Sequence, residues 1–466
     1  MLASTPSRRK FLSGVAASAL FAPSLARAVP AGVTPPISKR LTPVPLQVVA
    51  TRGRIPQNIE GNATNTRFEA YLWANIGPRP VSNWRLAFCN RYNDGAEEIP
   101  ALATDTTAGD YTLSAGVYWP SSSSATVMTF GGVLNPVIKW GAPLVLSDPS
   151  GPPIAAATQV RLQAGAVVTS GLKTIGAEVS ASGQQYNGYE STVGTSQVYT
   201  ANAWSTPSGG ITATYGFIPL MMLGVPDQPH VAVAIWGDSI CSGTGDATDF
   251  TTGFYGWAER AMIGSSKTQS GSACATPFVN LSRSGSTTSV YRSHYVQTCY
   301  TVLPYVSHVI CADSTNDVAT YTLALMQSDC QMAWAAARAA GCKVYHTTMT
   351  PKTTSSDLWA TPANQTIVAG YENAGYDFAT YPAGDAPAPA TGTRGAFNAW
   401  LFAQVAAGAL DGVLDVNAAI EDPANLGKWK TNGSANYPTT DGLHPTAAMH
   451  ALMSAAVQPA IASWGI

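Results

Sequence analysis

The sequence predicts an α/β protein in two parts. A mostly parallel sheet with helices on both faces forms the C-terminal part, and an antiparallel β-sandwich or jelly roll precedes it. Three observations lead there. Residues 29 to about 225 lack long helical periodicity and read as short strands between turn clusters. From residue 231 onward, short apolar runs alternate with helical patterns, as strand–helix–strand units do. Between the two lies Gly224-Val225-Pro226-Asp227-Gln228-Pro229-His230, where two prolines and a glycine make a stiff boundary.

The N-terminus is set apart first. Ser7-Arg8-Arg9-Lys10-Phe11-Leu12 is a basic cluster with adjacent arginines, followed by an apolar stretch to Leu25 and then by Ala26-Arg27-Ala28. Residues 1–28 resemble a bacterial twin-arginine export signal. The apolar stretch is short against the ~20 residues of a membrane span, so the expectation is a soluble, exported protein, periplasmic or secreted, without stable membrane association. Removing Arg8, Arg9, Lys10 and Arg27 from the 25 basic residues leaves 21 against 27 acidic ones, a net of −6. No basic run points to nucleic acid as a partner.

The expected sandwich, 29–225, takes its strands from Ala70–Trp73, Trp84–Cys89, Tyr111–Trp119, Thr126–Phe130, Pro143–Leu146 and Gln159–Leu162. Asn93-Asp94-Gly95 and Asp148-Pro149-Ser150-Gly151 supply turn chemistry between them. Trp73, Trp84, Tyr111, Tyr118 and Trp119 either fill a β core or stack on sugar rings.

The second part, 231–466, opens with the apolar run Val231–Trp236, which reads as a strand buried on both faces. Gly237-Asp238-Ser239 follows at once. A short helix is expected over Phe254–Ile263 and strands over Phe278–Leu281 and Val306–Cys311. An alanine-rich helix over Leu323–Ala340 meets Gly341 where a helix-ending glycine belongs. Lys343–Met349 is a fourth strand, Arg394–Leu410 an amphipathic helix, Val413–Val416 a fifth strand, and a last helix runs through Val457. Strand ends at the carboxyl edge of such a sheet are where ligands bind.

Four polar sites fall at those loops: Ser239, Gly285, Asn316 and the pair Asp441/His444. Taken alone, a Gly-Asp-Ser turn is only a turn, and Asp441/His444 only a helix cap beside a surface histidine. Together they supply the parts of acyl transfer. A serine hydroxyl needs a base to take its proton. An imidazole serves near neutral pH, and a carboxylate on its other nitrogen orients it. The N–H groups of Ser239 and Gly285 with the Asn316 side-chain amide would receive an oxyanion.

Gly237-Asp238-Ser239, Gly285 within Ser284-Gly285-Ser286-Thr287, Asn316-Asp317 and Asp441-x-x-His444 resemble, in order, the four signature blocks of the SGNH (GDSL) hydrolase family. The resemblance covers about 231–466. It implies a flavodoxin-like three-layer α/β/α domain and a metal-free, cofactor-free serine esterase. Ser239 would be nucleophile, His444 base, Asp441 its orienting carboxylate, and Ser239, Gly285 and Asn316 the oxyanion hole. One departure stands out: Ser314 occupies the place where the third block usually has glycine.

The expected activity is removal of O-acetyl or other short acyl groups from a poly- or oligosaccharide. Export, a chain with only 11% charged residues and an appended β domain favour a carbohydrate ester. Acyl transfer to a sugar acceptor, lipase or arylesterase chemistry, and carbohydrate binding by an inactive esterase domain are the alternatives. Seven cysteines, six of them after residue 230, permit disulfides in an exported protein without specifying them.

Overall fold

The computed structural model describes residues 45–465 apart from 61–64, 92–108, 120–123, 179–185, 192–195, 201–210, 213–214, 247–255, 264–274, 293–294, 319 and 374–391. The basic and apolar segment 1–28 lies outside the described residues.

A six-stranded sheet carries the site. Its order is Gly53–Arg54, Phe278–Asn280, Val233–Gly237, His308–Ala312, Lys343–Thr347 and Gly412–Leu414, and every neighbouring pair is parallel. Counted from Val233–Gly237, the five later strands follow the order 2-1-3-4-5 of doubly wound sheets, whose switch point lies between the first and third. Ser239 therefore leaves the sheet at the switch point.

The apolar run up to Trp236 forms a central strand because both of its faces find cores. Val233 and Ile235 pack with Trp257, Met262, Met449 and Met453, on the helices Gly256–Ile263 and Ala447–Ala462. Ala234 and Trp236 pack with Met326, Cys330, Trp334, Phe397 and Leu401, on the helices Leu323–Ala339 and Thr393–Ala406. Strand residues alternate between two helical layers. The Leu323–Ala339 helix starts where Thr322 accepts from Leu325 N. Thr393–Ala406 stops short of Leu410 because Gly408 enters the left-handed region, its N–H bonding Val405 O while Ala409 N–H bonds Gln404 O.

Antiparallel strands make up the remainder. A seven-stranded sheet runs Ile211–Thr212, Tyr186–Ser191, Arg67–Asn75, Gln159–Val168, Tyr111–Tyr118, Thr126–Val127, with Val137–Ile138 also paired to Tyr111–Tyr118. A four-stranded sheet runs Gln47–Val48, Met221–Pro226, Val81–Phe88, Val145–Leu146. Trp84, Leu86 and Phe88 from the second share a core with Leu113, Val117, Val160 and Leu162 from the first. Trp84, Tyr111 and Trp119 are buried in it. Trp73 and Tyr118 lie on the opposite face, flanking the Arg161 guanidinium at 5.6 and 4.8 Å.

The stretch at Gly224–His230 is less of a divide than its prolines suggest. Ala87, Met221 and Leu223 of the four-stranded sheet belong to the same core as Trp236 and Trp334. Gly53–Arg54 pairs with Phe278–Asn280. The parallel sheet thus draws on residues from both sides of the expected junction.

Of the cysteines, Cys89, Cys241, Cys299, Cys311, Cys330 and Cys342 are buried thiols without a disulfide; Cys274 lies outside the described residues. Short apolar packing, not cross-linking, is what these side chains contribute. Among the described residues no helix is long and apolar enough to cross a membrane.

Candidate active site

Ser239 begins a one-turn helix, Ser239–Ser242, directly after its strand. The turn forms because Asp238 accepts a hydrogen bond from Ile240 N at 2.9 Å, as an N-capping carboxylate does. Gly243 closes the turn in the left-handed region, its N–H bonded to Ser239 O. The hydroxyl is thereby raised at the carboxyl edge of the sheet, 7% exposed.

His444 reaches it from the loop before the last helix. Its Nε2 lies 2.8 Å from Ser239 Oγ and its Nδ1 2.6 Å from Asp441 Oδ2. Asp441 Oδ1 also accepts from the backbone N–H groups of Leu443 and His444, at 2.9 and 2.8 Å. Desolvation pushes this carboxyl up, but the hydrogen bonds from His444 and Leu443 outweigh it and hold it down at about 2. It remains an anion across the working range of an imidazole. That sets the ring with Nδ1–H toward Asp441 and the Nε2 lone pair toward Ser239.

Two close approaches hold the histidine loop against its neighbours. At Gly442 a Cβ would lie 1.9 Å from Thr353 O, and at Gly245 one would lie 2.3 Å from Pro445 O. Gly442 O accepts from Thr353 N and from the indole of Trp429. His450, on the helix after the histidine loop, is buried. Its Nδ1 accepts from Trp257 N and its Nε2 faces Thr244 O at 3.1 Å. Burial lowers its pKa, which suits a neutral ring bridging the nucleophile loop and the helix behind it.

The loops after the neighbouring strands complete the edge. Arg283 N donates to Gly237 O at 2.9 Å, tying the loop of Gly285 to the end of the nucleophile strand. Asn316 Nδ2 donates one hydrogen to Ser286 O at 2.9 Å, which leaves its second amide hydrogen to receive charge. Among the described residues, the N–H groups of Ser239 and Gly285 donate to no protein acceptor. Ser314 stands where glycine was expected, and its φ of 167° lies outside the left-handed region that favours glycine.

Three buried carboxyls beneath these loops were not read as site residues. Asp317 accepts from Thr288 N at 3.0 Å and from Thr288 Oγ1 at 2.6 Å. Asp313 accepts from Tyr291 OH at 2.6 Å. Burial pushes Asp238 up to about 6 and Asp317 up to about 7, and raises Asp313 well above the usual carboxylate range. Each also repels the others' charge. Their spacing in sequence carries no sign of this, since burial arises only when the strands assemble.

A hydroxyl, an imidazole and an anionic carboxylate in hydrogen-bonded sequence, beside available N–H donors, can attack an acyl carbon and stabilise the resulting oxyanion. No protein-family model matches the chain, and no curated protein matches it. Similar solved structures include a GDSL-like lipase from Bacteroides thetaiotaomicron, 18% identical over 50% of this chain and 88% of that one, with a TM-score of 0.31. The psychrotrophic esterase EstA from Pseudoalteromonas sp. is 14% identical over 50% of this chain and 97% of that one, with a TM-score of 0.32. A carbohydrate esterase family 3 protein from Talaromyces cellulolyticus is 16% identical over 50% and 97%, with a TM-score of 0.31. In each case the similarity spans half of this chain and most of its counterpart.

Proposed function

We propose that the protein is an exported serine ester hydrolase that removes O-acetyl or other short acyl groups from a poly- or oligosaccharide through an acyl-enzyme. The observation that carries the ester-hydrolase reading is the unbroken Ser239–His444–Asp441 hydrogen-bonded chain at the switch point of the sheet.

In the first half-reaction, Ser239 Oγ attacks the acyl carbon while its proton passes to His444 Nε2. Asp441 stabilises the imidazolium, and the N–H groups of Ser239 and Gly285 with the Asn316 amide receive the oxyanion. As the tetrahedral centre collapses, the carbon–oxygen bond to the sugar breaks and the leaving oxygen takes the proton from His444. Water then repeats the sequence on the acyl-enzyme, releasing the carboxylic acid and restoring Ser239.

A sugar ester is supported by the solvent access of the dyad, with the Asp441 and His444 side chains 48% and 21% exposed. An open edge of this kind admits a chain of sugars. A surface low in charge, the antiparallel sheets as a β-sandwich accessory unit, and the export-type segment 1–28 support the same reading and a periplasmic or secreted location. The test is acetate release from an acetylated polysaccharide by the wild-type protein and Ser239→Ala. Release is expected from the first alone, and equal release by both would falsify the assignment.

A further inference from the structure

Beneath the nucleophile turn lies a buried bracket whose key member comes from far upstream. Residues 50–55 run as an edge strand beside Phe278–Asn280: Phe278 N donates to Ala50 O and Ile55 N to Asn280 O. Gly53 permits this path, since a Cβ there would lie 2.4 Å from Leu220 O. The strand delivers Arg54, 4% exposed, under the turn. Its Nη2 donates to Glu259 Oε1 at 2.5 Å and to Ser242 O at 3.2 Å. Asn280, its partner in the ladder, donates to the same Glu259 oxygen at 3.1 Å and to Cys241 O at 3.3 Å.

Cys241 and Ser242 end the four-residue helix that begins with Ser239. Their carbonyls are the kind a helix end leaves without an intrahelical partner. A single helical turn has little stability of its own, since nucleation is the unfavourable step. Asp238 holds its first end, and Arg54 and Asn280, both fixed on Glu259, hold its last. The position of Ser239 Oγ relative to His444 Nε2 follows from where that turn is pinned. A misplacement of roughly 1 Å in a reacting group costs about a hundredfold in rate.

We infer that Arg54 is a positioning residue for Ser239, acting with Glu259 and Asn280, so that the strand Gly53–Arg54 belongs to the catalytic apparatus. The inference rests on the proposed role of Ser239. A bracket that only supports the fold would lower thermal stability when altered and leave the reactivity of each folded molecule unchanged.

The experiment measures labelling of Ser239 by a fluorophosphonate probe, with kcat and KM for p-nitrophenyl acetate, per folded molecule. The variants are Arg54→Lys and the double change Arg54→Met with Glu259→Gln. The double change removes both charges together, so neither is left buried and unpaired. It is expected to slow labelling and kcat at least tenfold with KM within twofold. Arg54→Lys keeps the charge but presents a compact ammonium rather than a fork, and is expected to restore an intermediate rate. Wild-type rates in the folded double variant overturn the inference. If the double variant does not fold, Arg54→Lys decides, and a change below twofold overturns it. A wild-type protein that the probe does not label overturns the role of Ser239 itself, a result distinct from either.

Discussion

Three side chains define the chemistry at the scale of single residues, and one of them acts without touching the substrate. Asp441 is held ionised at about 2 by hydrogen bonds from His444 and Leu443. Asparagine in its place would present an amide that cannot hold the imidazole in the required tautomer with the same charge. Asp441→Asn is therefore expected to lower kcat by about 10²- to 10⁴-fold, the upper figure being that of buried serine–histidine–aspartate sets. Steady-state kinetics on an aryl acetate, with KM nearly unchanged, is the check; a loss under threefold would remove Asp441 from the chain. These residues were legible because their signals are local. Ser239 follows an apolar run, and Asp441 precedes His444 by one helical turn's spacing. The Ser314 departure was legible too, but the backbone angle outside the left-handed region that accompanies it was not. Nothing in the sequence marks Asp238 or Asp313 as buried.

At the scale of elements, what holds the loops together is a set of hydrogen bonds to buried carboxyls. Asp317 secures Thr288 across two loops, and burial raises it from 3.8 to about 7. In the unfolded chain it ionises near 3.8. Between about pH 4 and pH 7 the folded protein therefore holds the proton more fully than the unfolded chain. Stability contributed by this group falls as pH rises through that window. The slope of the urea midpoint against pH is expected to be more positive in Asp317→Asn than in the wild type over this range. Identical slopes would show that Asp317 titrates normally. Long continuous strands such as Val233–Gly237 were readable as apolar runs. The two-residue strand Gly53–Arg54 was not, because two residues have no period and its pairing partner lies more than two hundred residues away. The expected end of the Arg394–Leu410 helix overshot for a similar reason, since apolar periodicity continues past the backbone turn at Gly408.

For the whole molecule, the consequence is that the two parts named from composition do not separate cleanly. Val48, Ile55, Leu220, Met221 and Leu223 share a core with Trp236 and Trp334, and Arg54 neutralises Glu259. A chain shortened to begin at Asp227 would expose that apolar face and leave Glu259 buried without its cation, a strongly destabilising combination. It is expected to lack a cooperative thermal transition and to bind a hydrophobic dye. A shortened chain that melts cooperatively and takes the phosphonate label would show that residues 227–466 are self-sufficient. Composition and turn signals divide the chain at Gly224–His230 because they record local chemistry, whereas burial across that point depends on which strands meet.

The edge strand also sets an order of events during synthesis. Arg54 leaves the ribosome 205 residues ahead of Glu259, and at roughly 5–20 residues per second it waits about 10–40 s for its partner. His444 comes later still, near the C-terminus. Arg54 and His444 must both be present before the nucleophile is pinned and its base is in reach. A product cut short by stalled translation, or clipped between Arg54 and Ser239, would carry an intact Gly-Asp-Ser turn without its base or without its covalently attached bracket, so the arrangement acts as a check on the completeness of residues 54–444 in each molecule.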